Sequence, residues 1–392
     1  MNTTISPDDI INMINTTMAT SNSTTASSSS DHSSTSTNIL YSYEERVFVA
    51  VCWAIIAVLG TTGNSLIFIS VLLSRKLRTA TNVFVVNLAA ADFLTSLFMS
   101  WSVVALVGRD GWPIPEAEWL CSVAGFMIFL CTGVSLYNLA AIAVNRLVLI
   151  TQSFDTYKRL YKPMNVGVMA ALIWIIPSAI FVGLPLAGIG GFGYDRKHST
   201  CSDLDHHPEG KTFELVQTIV FYPIPLITIV VCYVLVFKHV KRHLNKQRTL
   251  NDSSSANGSA VDGNGNPRGI ASADSQLSAT TTMKSPRSGS RAERIDQMEI
   301  EITKNLFLVV CAFFLFFSPY CIALFIPGTE YFLLYGGISV LANSAINPLI
   351  YSRRHPHFKV VFSSLLRCRY KEIPEPSNVL KRFLPKKPNN YV

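Results

Sequence analysis

Long apolar stretches separated by short polar segments dominate the chain from about residue 47 onward. A helix needs about 20 apolar residues to cross the hydrocarbon of a bilayer, and seven stretches meet this requirement. We number them spans 1 to 7; they cover residues 47–73, 82–107, 120–150, 165–187, 213–240, 300–326 and 331–351. Few charged residues fall within them, and Asp92 is the clearest exception. The pattern predicts an all-α membrane protein, a bundle of seven transmembrane helices.

Lysine and arginine are concentrated in alternate loops between these spans. The basic loops follow spans 1, 3 and 5, and a basic pair follows span 7; the residues are Arg75, Lys76, Arg78, Lys158, Arg159, Lys162, Lys238, Lys241, Arg242, Lys246, Arg353 and Arg354. Because short loops rich in lysine and arginine remain in the cytoplasm, this asymmetry predicts an extracellular N-terminus and a cytoplasmic C-terminus. We therefore expect a multi-pass protein of the plasma membrane.

Polar segments of low complexity flank and interrupt the spans. Residues 1–43 are rich in Ser, Thr and Asn, and such a composition cannot bury enough apolar surface to fold alone. We predict that they form a disordered extracellular tail, glycosylated at the acceptor motifs of Asn2, Asn15 and Asn22. Residues 245–298 are rich in Ser, Gly and Asn, which predicts a disordered cytoplasmic loop.

The segment after span 7 alternates basic and apolar positions over residues 353–368. This pattern is typical of a short amphipathic helix that lies on the membrane surface. Cys368 ends the segment, where either a palmitoyl chain adds a second anchor or the thiol stays free. Residues 369–392 are then a short cytoplasmic tail.

Composition agrees with a membrane protein. Of the residues, 49% are hydrophobic and only 15% are charged, whereas a soluble protein carries about 25% charged residues. The net charge of +8 does not indicate nucleic-acid binding, because the basic residues flank apolar runs instead of forming one stripe. The eight cysteines lack the short spacing of zinc sites, and no nucleophile–base set is recognisable. We therefore expect neither a zinc site nor an enzyme.

Several polar residues fall inside the apolar spans. A buried carboxylate in a bilayer is costly unless it has partners, so Asp92 in span 2 is a candidate functional residue. Other spans offer polar partners, namely Asn64, Ser135, Asn343, Ser344 and Asn347. Together they indicate either a site for a small cation such as Na⁺ or a water network, or else a polar network that only packs the helices together.

Sequence motifs follow one another in a fixed order along the spans. Cys121 precedes Arg146 by 25 residues, span 6 carries the series F-x-x-x-F-x-P, and span 7 ends in NPLIY. The motif residues are Asn64, Asp92, Cys121, Arg146, Trp174, Pro225, Tyr233, Phe313, Phe317, Pro319, Asn347, Pro348, Tyr351 and Phe358. From about residue 50 to residue 368, the chain resembles the rhodopsin-like G-protein-coupled receptors. The resemblance implies a receptor domain at residues 44–368.

The resemblance also implies roles for individual residues. It implies a disulfide between Cys121 and Cys201, which would tie an outer loop over the mouth of the bundle. The implied activation switch comprises Asn145, Arg146, Tyr233, Glu299, Phe313, Phe317, Pro319, Asn347, Pro348 and Tyr351. The implied partners are a small-molecule ligand, a heterotrimeric G protein, arrestin, receptor kinases and membrane lipid, with no cofactor besides Na⁺ as an allosteric ion.

Three positions depart from the family pattern. The usual Asp before the arginine is Asn145, the usual Tyr after it is Leu147, and the usual Trp of span 6 is Phe317. Asparagine carries no charge, so it restrains Arg146 less than an aspartate would. We hypothesise that Glu299, at the start of span 6, supplies the acid that pairs with Arg146 in the inactive state.

The region of the ligand pocket is apolar and aromatic. Amine receptors of the family have an Asp seven residues after the span-3 cysteine, where this chain has Ile128, and span 7 lacks the lysine that a retinal Schiff base requires. The expected pocket residues are Ile128, Phe129, Thr132, Phe221, Tyr222, Phe317 and Tyr320. They predict a non-amine ligand, such as a lipid or a melatonin-like molecule.

Three segments carry a finer resemblance. They are KLRTATNVFVVNLAAADF, the N-R of AIAVNRL, and GFGYDRKHSTC, which resemble melatonin receptors and the insect receptors Moody and Trapped-in-endoderm. This resemblance implies coupling to a G protein of the inhibitory class.

A secondary transporter or channel remains the alternative, although the two halves of the chain show no repeat and only one clear acid within the spans. An adhesion or scaffold protein is a third, which the absence of a folded ectodomain disfavours.

Overall fold

The computed structural model describes residues 39–204, 206–258, 307–308, 310–324, 326 and 328–383. The predicted glycosylation sites Asn2, Asn15 and Asn22 and the predicted lock residue Glu299 lie outside these residues. So does most of the predicted disordered loop.

Helices make up most of the described chain. They are α1 (Tyr43–Leu73), α2 (Ala80–Val107), α3 (Glu118–Thr151), α4 (Phe154–Leu160), α5 (Pro163–Leu186), α6 (Gly210–Phe221), α7 (Pro223–Gly258), α8 (Val310–Leu324), α9 (Leu333–Arg354), α10 (Pro356–Leu366) and α11 (Asn378–Phe383). Short 3₁₀ turns lie at Arg75–Leu77, Pro115–Ala117, Glu330–Phe332 and Tyr370–Glu372. Two antiparallel strands, β1 (Phe192–Asp195) and β2 (Thr200–Asp203), form a hairpin.

Every predicted span corresponds to a helix. Spans 1 to 4 are α1, α2, α3 and α5, span 5 is α6 followed by α7, and spans 6 and 7 are α8 and α9. Within the described residues, six helical stretches are long and apolar enough to cross a membrane, and α8 is a shorter apolar helix. These helices agree with the predicted seven-helix bundle.

The ends of the helices follow from local sequence. Ser42 caps α1: its hydroxyl accepts from the N–H of Glu45 at 3.3 Å, and the Glu45 carboxylate accepts from the N–H of Ser42 at 2.9 Å. This reciprocal pair satisfies two donors that a helix start otherwise leaves unpaired. Thr79 caps α2 by a single bond, in which its hydroxyl accepts from the N–H of Asn82 at 3.3 Å. Helix α5 begins with Pro163, whose missing N–H costs nothing at that position.

Span 5 is broken between α6 and α7. Pro223 and Pro225 have no N–H to donate, so they cannot continue the hydrogen bonds of α6. At the break, the Tyr137 hydroxyl of α3 donates to the Val220 carbonyl at 3.2 Å. A side chain of the neighbouring helix thus supplies a donor to a carbonyl of the interrupted helix.

The helix α3 lies at the centre of the bundle and contacts α2, α5, α7 and the hairpin. In the most apolar stretch of this span, 61% of the residues are buried, which is the largest share among the candidate spans. By contrast, large apolar side chains on the outward faces of the other helices are exposed, for example Leu59, Leu172, Ile227 and Leu315. An apolar belt of this extent is what a protein presents to lipid rather than to water.

The hairpin packs on one end of the bundle, which we call the hairpin end. A disulfide joins Cys121 at the start of α3 to Cys201 of β2, with a Cα–Cα distance of 5.0 Å. Gly125 of α3 faces the hairpin, and a Cβ there would lie 3.2 Å from the backbone of Ser202. The absence of a side chain at Gly125 therefore lets the strand approach α3 closely.

Residues 39–42 pack against the hairpin end, so the prediction of disorder through residue 43 was wrong for them. The Leu40 N–H donates to the Lys197 carbonyl at 3.1 Å, and the Tyr41 hydroxyl donates to the Glu330 carbonyl at 3.1 Å. Lys197 also forms an ion pair with Glu330. Burial of Tyr41 raises its pKa to about 12. The buried ring of Tyr41 supplies the apolar contact area that keeps this short segment ordered.

The predicted disordered loop also needs correction at its start. Helix α7 continues to Gly258, whereas we predicted disorder from residue 245. The run from Lys238 to Leu250 is rich in Lys, Arg, Gln and Leu, which have high helix propensity. A helix already nucleated within the span continues through such residues at little cost.

The end of the chain docks onto the segment that follows α1. We call residues 370–383 the docked tail. The Ser74 hydroxyl donates to the Pro374 carbonyl at 2.7 Å, and the Ser377 N–H donates to the Leu73 carbonyl at 2.8 Å. Ile373 and Leu380 of the docked tail are buried within the hydrophobic core. One of the last carbonyls of α1, which has no partner within the helix, thereby finds a donor.

Candidate functional site

A cavity of about 210 Å³ opens within the bundle toward the hairpin end. All the predicted pocket residues line it: Ile128, Phe129, Thr132, Phe221, Tyr222, Phe317 and Tyr320. Tyr222 of span 5 stacks on Phe317 of α8 at 5.8 Å between ring centroids, and Phe317 stacks on Phe313 at 4.6 Å. The aromatic wall of the cavity therefore continues into the interior of the bundle.

Polar residues outside the predicted pocket set form another wall of the cavity. They are Asp195, His198 and Asp203 of the hairpin and Glu214 and Gln217 of α6. For α6, the sequence did contain a pattern that predicts this wall: Glu214, Gln217 and Phe221 are spaced so that they share one helix face. The contribution of the hairpin depends on long-range folding and has no such local pattern.

The turn of the hairpin is held together by Asp195. Its carboxylate accepts from the N–H of Lys197 at 3.0 Å and from the N–H of His198 at 3.2 Å, and it contacts the His198 ring. Ser199 follows with a φ of 54°, a left-handed conformation that non-glycine residues seldom adopt. The turn thus keeps Asp195 and His198 against the cavity.

A polar network crosses the middle of the bundle around Asp92, which is 1% exposed. The Ser135 hydroxyl donates to one carboxylate oxygen at 2.8 Å, and the Asn347 amide donates to the other at 2.7 Å. Spans 2, 3 and 7 therefore meet at this carboxylate. A second set of hydrogen bonds links spans 4, 2 and 3. The Trp174 side chain donates to Asn87 at 2.8 Å, and the Asn87 amide donates to Asn138 at 2.9 Å.

Asn64 and Asn343 are buried, but among the described residues the Asp92 carboxylate bonds to Ser135 and Asn347 rather than to these two. The Asn64 amide donates to the carbonyls of Gly60 and Ser344, each at 2.9 Å. The side-chain oxygens of Asn64, Asn343 and Asn347 are buried and accept no hydrogen bond from the described residues. Carboxylate and amide oxygens are the ligands that hard cations prefer, so this set fits Na⁺ or ordered water.

The opposite end of the bundle, which we call the arginine end, carries Arg146, which is 3% exposed. Its neighbour Asn145 is completely buried: the Thr81 hydroxyl donates to it at 2.7 Å, and its amide donates to the Tyr157 hydroxyl at 3.2 Å. Asn145 therefore bonds to α2 and α4. The neutral residue at this position thus ties together three helices.

Tyr233 and Tyr351 are buried near this end, and each hydroxyl lacks a hydrogen-bond partner among the described residues. Tyr351 packs against Phe358 of α10 at 5.8 Å, and Tyr233 packs against Phe307 at 5.2 Å. A buried hydroxyl without a partner is unfavourable. Both hydroxyls would therefore gain a bond from a rearrangement that brings them to a new partner.

His355 joins α9 to α10. Its ring accepts from the N–H of Phe358 at 3.5 Å, which caps α10. Burial of the ring and the positive charge of Arg146 lower the pKa of His355 from 6.5 to about 3. The imidazole is therefore neutral at physiological pH.

The amphipathic helix predicted for residues 353–368 is α10. It buries Phe358, Val361 and Phe362 and exposes Val360 and Leu366. Cys368 follows as an exposed free cysteine. The exposed apolar side chains beside this thiol suit a segment that rests on a bilayer surface.

The order of these motifs and the geometry of the bundle point to one family. The family model described as "7 transmembrane receptor (rhodopsin family)" matches residues 63–351. The chain belongs to the rhodopsin family of seven-transmembrane receptors. The predicted family and fold class are therefore confirmed, and so is the prediction that this receptor is not an enzyme.

Individual relatives of the receptor fall into several branches. It is 34% identical to melatonin receptor type 1B-B of Danio rerio over 45% of this chain and 49% of that protein. It is 25% identical to the G-protein coupled receptor moody of Drosophila pseudoobscura pseudoobscura over 84% of this chain and 54% of that protein. The chain thus spans about half the length of these two relatives.

A serotonin receptor and a solved rhodopsin match over a longer part of the receptor. It is 27% identical to 5-hydroxytryptamine receptor 1F of Cavia porcellus over 87% of this chain and 98% of that protein. The crystal structure of squid rhodopsin matches with a TM-score of 0.66 and 18% identity, and covers 87% of this chain and 91% of that one. The structural match supports the fold, and the sequence relatives are themselves named as receptors.

Proposed function

We propose that this receptor binds a small, largely apolar ligand in the cavity at the hairpin end and activates a heterotrimeric G protein at the arginine end. The observation that carries the proposal is the cavity itself, which is lined by all the residues predicted for a ligand pocket. Its aromatic stack of Tyr222, Phe317 and Phe313 leads from the cavity toward the interior. The hairpin end is then extracellular, in keeping with the basic loops at the other end.

The cavity does not offer the anchor that the amine receptors of the family use. Ile128 lines it at the position where those receptors have an aspartate, so an ammonium ion finds no carboxylate from α3 there. Similarity to a 5-hydroxytryptamine receptor therefore does not by itself support serotonin as a ligand. We propose a non-amine ligand, such as a lipid or a melatonin-like molecule, and a G protein of the inhibitory class, which the melatonin-receptor relatives favour.

Three further features belong to the same proposal. Na⁺ acts as an allosteric ion at Asp92, whose surroundings supply oxygen ligands. Palmitoylation of Cys368 fixes α10 to the membrane, and the exposed thiol is accessible for it. Arrestin and receptor kinases act on the arginine end, where Ser and Thr of the loop between spans 5 and 6 provide acceptors for phosphate.

The deciding experiment is guanine-nucleotide exchange on purified G proteins of several classes, with the full chain in lipid nanodiscs. A panel of indole amides and uncharged lipids is screened as ligand. We expect at least one compound to accelerate exchange on an inhibitory-class G protein, and replacement of Ile128 by Trp to abolish the response by filling the cavity. A transporter or channel would leave exchange unchanged on every G protein, with or without ligand.

A further inference from the structure

The polar wall of the cavity contains a group of hydrogen-bond acceptors on one side of α6 and β2. Glu214, Gln217 and Thr218 follow helical spacing along α6 and face the cavity, and Phe221 lies one turn further in. Asp203 of β2 lines the cavity beside them. The wall therefore changes from carboxylate and amide groups near the hairpin to an aromatic ring deeper in the bundle.

Gln217 is the decisive residue in this wall. Its side chain is only 7% exposed, and its amide nitrogen donates to the Asp203 carboxylate at 3.5 Å. Its side-chain oxygen is buried and accepts no hydrogen bond from the described residues. The reversed orientation of the amide would place that oxygen against a carboxylate oxygen, so Asp203 fixes the orientation. A buried amide oxygen at a cavity wall needs a donor from the molecule that fills the cavity.

We infer that Gln217 accepts a hydrogen bond from an N–H group of the ligand, with the acceptors of Asp203 and Glu214 beside it. This inference rests on the proposed function only in placing the ligand in this cavity. The apolar part of the ligand then extends inward toward Phe221 and Phe317, which line the same cavity. The anchor comes from α6 and the hairpin, and not from α3.

The chemistry of this wall selects among ligands. A carboxylate or phosphate group would meet the oxygens of Asp203, Glu214 and Gln217, and repulsion between like charges would oppose its binding. An ester lacks the donor that the Gln217 oxygen requires, whereas an amide of the same shape supplies it. An uncharged amide and a protonated amine both carry N–H donors, and comparison of the two shows whether the carboxylates add to the anchor.

The test uses four small probes of matched size: N-(2-phenylethyl)acetamide, 2-phenylethyl acetate, 2-phenylethylammonium and 3-phenylpropionate. Their affinities for the full-length receptor in nanodiscs are measured by thermal denaturation at millimolar concentrations. We expect the amide to bind about tenfold more tightly than the ester, the difference that one hydrogen bond to a buried acceptor provides. The carboxylate probe should bind most weakly. Equal binding of amide and ester, or no binding of any probe, would overturn the inference.

Two substitutions locate the effect. Gln217→Met keeps the length of the side chain but removes the acceptor, so the preference for the amide over the ester should disappear. Leu215→Met introduces the same residue on the exposed face of α6 and should retain the preference. If Gln217→Met does not fold, Gln217→Ala, which also lacks the acceptor, should lose the preference, and its persistence there would contradict the inference. Denaturation requires no G protein, so failure of nucleotide exchange would count against the proposed function alone.

Discussion

At the scale of single residues, Asp92 shows how a charge is kept inside the bundle. Its carboxylate accepts hydrogen bonds from Ser135 and Asn347. Amide oxygens on the neighbouring spans are buried and accept no hydrogen bond from the described residues. Two donors partly offset the cost of burying the charge. The acceptor oxygens that remain can coordinate a cation. A network that only packs the helices together would leave these oxygens without a hydrogen bond.

This arrangement predicts a sodium effect that depends on Asp92. Asp92→Asn preserves the shape of the side chain but removes its charge, so basal nucleotide exchange should no longer change when NaCl replaces choline chloride at constant ionic strength. Thr95→Val is the control, because the buried Thr95 hydroxyl donates within α2, to the Ala91 carbonyl at 3.0 Å. The same sodium response in wild type and Asp92→Asn, or no response in wild type, would favour a purely structural network.

His355 gives a second prediction at this scale. Its folded-state pKa of about 3 lies below the unfolded value of 6.5, so the unfolded chain takes up a proton first as the pH falls. The stability that the neutral ring contributes is complete above pH 6.5 and is lost progressively as the pH falls toward 3. At one pH unit below the unfolded pKa, the loss is about 1.4 kcal/mol.

The prediction is tested with His355→Asn, which retains a side chain able to cap α10 but cannot ionise in this range. The thermal midpoint of the purified receptor should fall less between pH 7.5 and 5.5 in this variant than in wild type. His357→Asn, on the half-buried neighbouring ring, is the matched control and should keep most of the wild-type dependence. Identical pH profiles for His355→Asn and wild type would refute the assignment.

The residues of the site were predictable where local patterns define them. The aromatic positions Phe221 and Phe317 were assigned to the pocket from the family resemblance of their spans, and both line the cavity. Asp203 and Gln217 were missed because their meeting depends on where the hairpin packs. No local signal in the sequence states that β2 lies beside α6.

At the scale of elements, apolar length predicted the helices, but their ends required more information. The start of α1 follows from the Ser42–Glu45 capping box, and the break before Pro223 follows from missing donors. The docked tail had no comparable signal. Its order arises from long-range bonds, such as that from Ser377 to Leu73, and from burial of Ile373.

The docked tail should detach when its buried anchor is shortened. Ile373 is 3% exposed, and Ile373→Ala removes apolar contacts worth about 2–4 kcal/mol at a buried site, which is large for so short a segment. Hydrogen exchange measured by mass spectrometry should then accelerate at the amides of Arg75 and Ser377, which donate across the docking interface. Val379→Ala, at a side chain that is 38% exposed, should leave exchange nearly unchanged. Equal protection in both variants would show that the backbone bonds alone hold the tail.

At the scale of the whole molecule, the cavity and the arginine end are connected by packed groups. The stack of Tyr222, Phe317 and Phe313 begins at the cavity, and the buried hydroxyls of Tyr233 and Tyr351 lie near the other end. A ligand that displaces the stack would shift α8, and any such shift alters the surroundings of Tyr233. Coupling of this kind needs two stable packings of the same helices rather than a continuous deformation.

The balance between those two packings should depend on an acid outside the arginine motif. Asn145 is neutral and bonds to Thr81 and Tyr157, so it cannot hold Arg146 by charge. We therefore expect Glu299→Ala to raise basal nucleotide exchange severalfold, because loss of an acid that pairs with Arg146 in the inactive state favours the active one. The measurement is exchange without ligand, normalised to the amount of receptor in the membrane.

Glu301→Ala is the matched control, since it removes the same charge two residues further along the chain, which on a helix points to another side. It should leave basal exchange near the wild-type level. Asn145→Asp gives the converse test: a carboxylate beside Arg146 would restore the missing local restraint and should lower the basal rate of the Glu299→Ala variant. Equal basal rates in wild type and Glu299→Ala would show that the inactive state is held by the packing around Asn145 instead of by this ion pair.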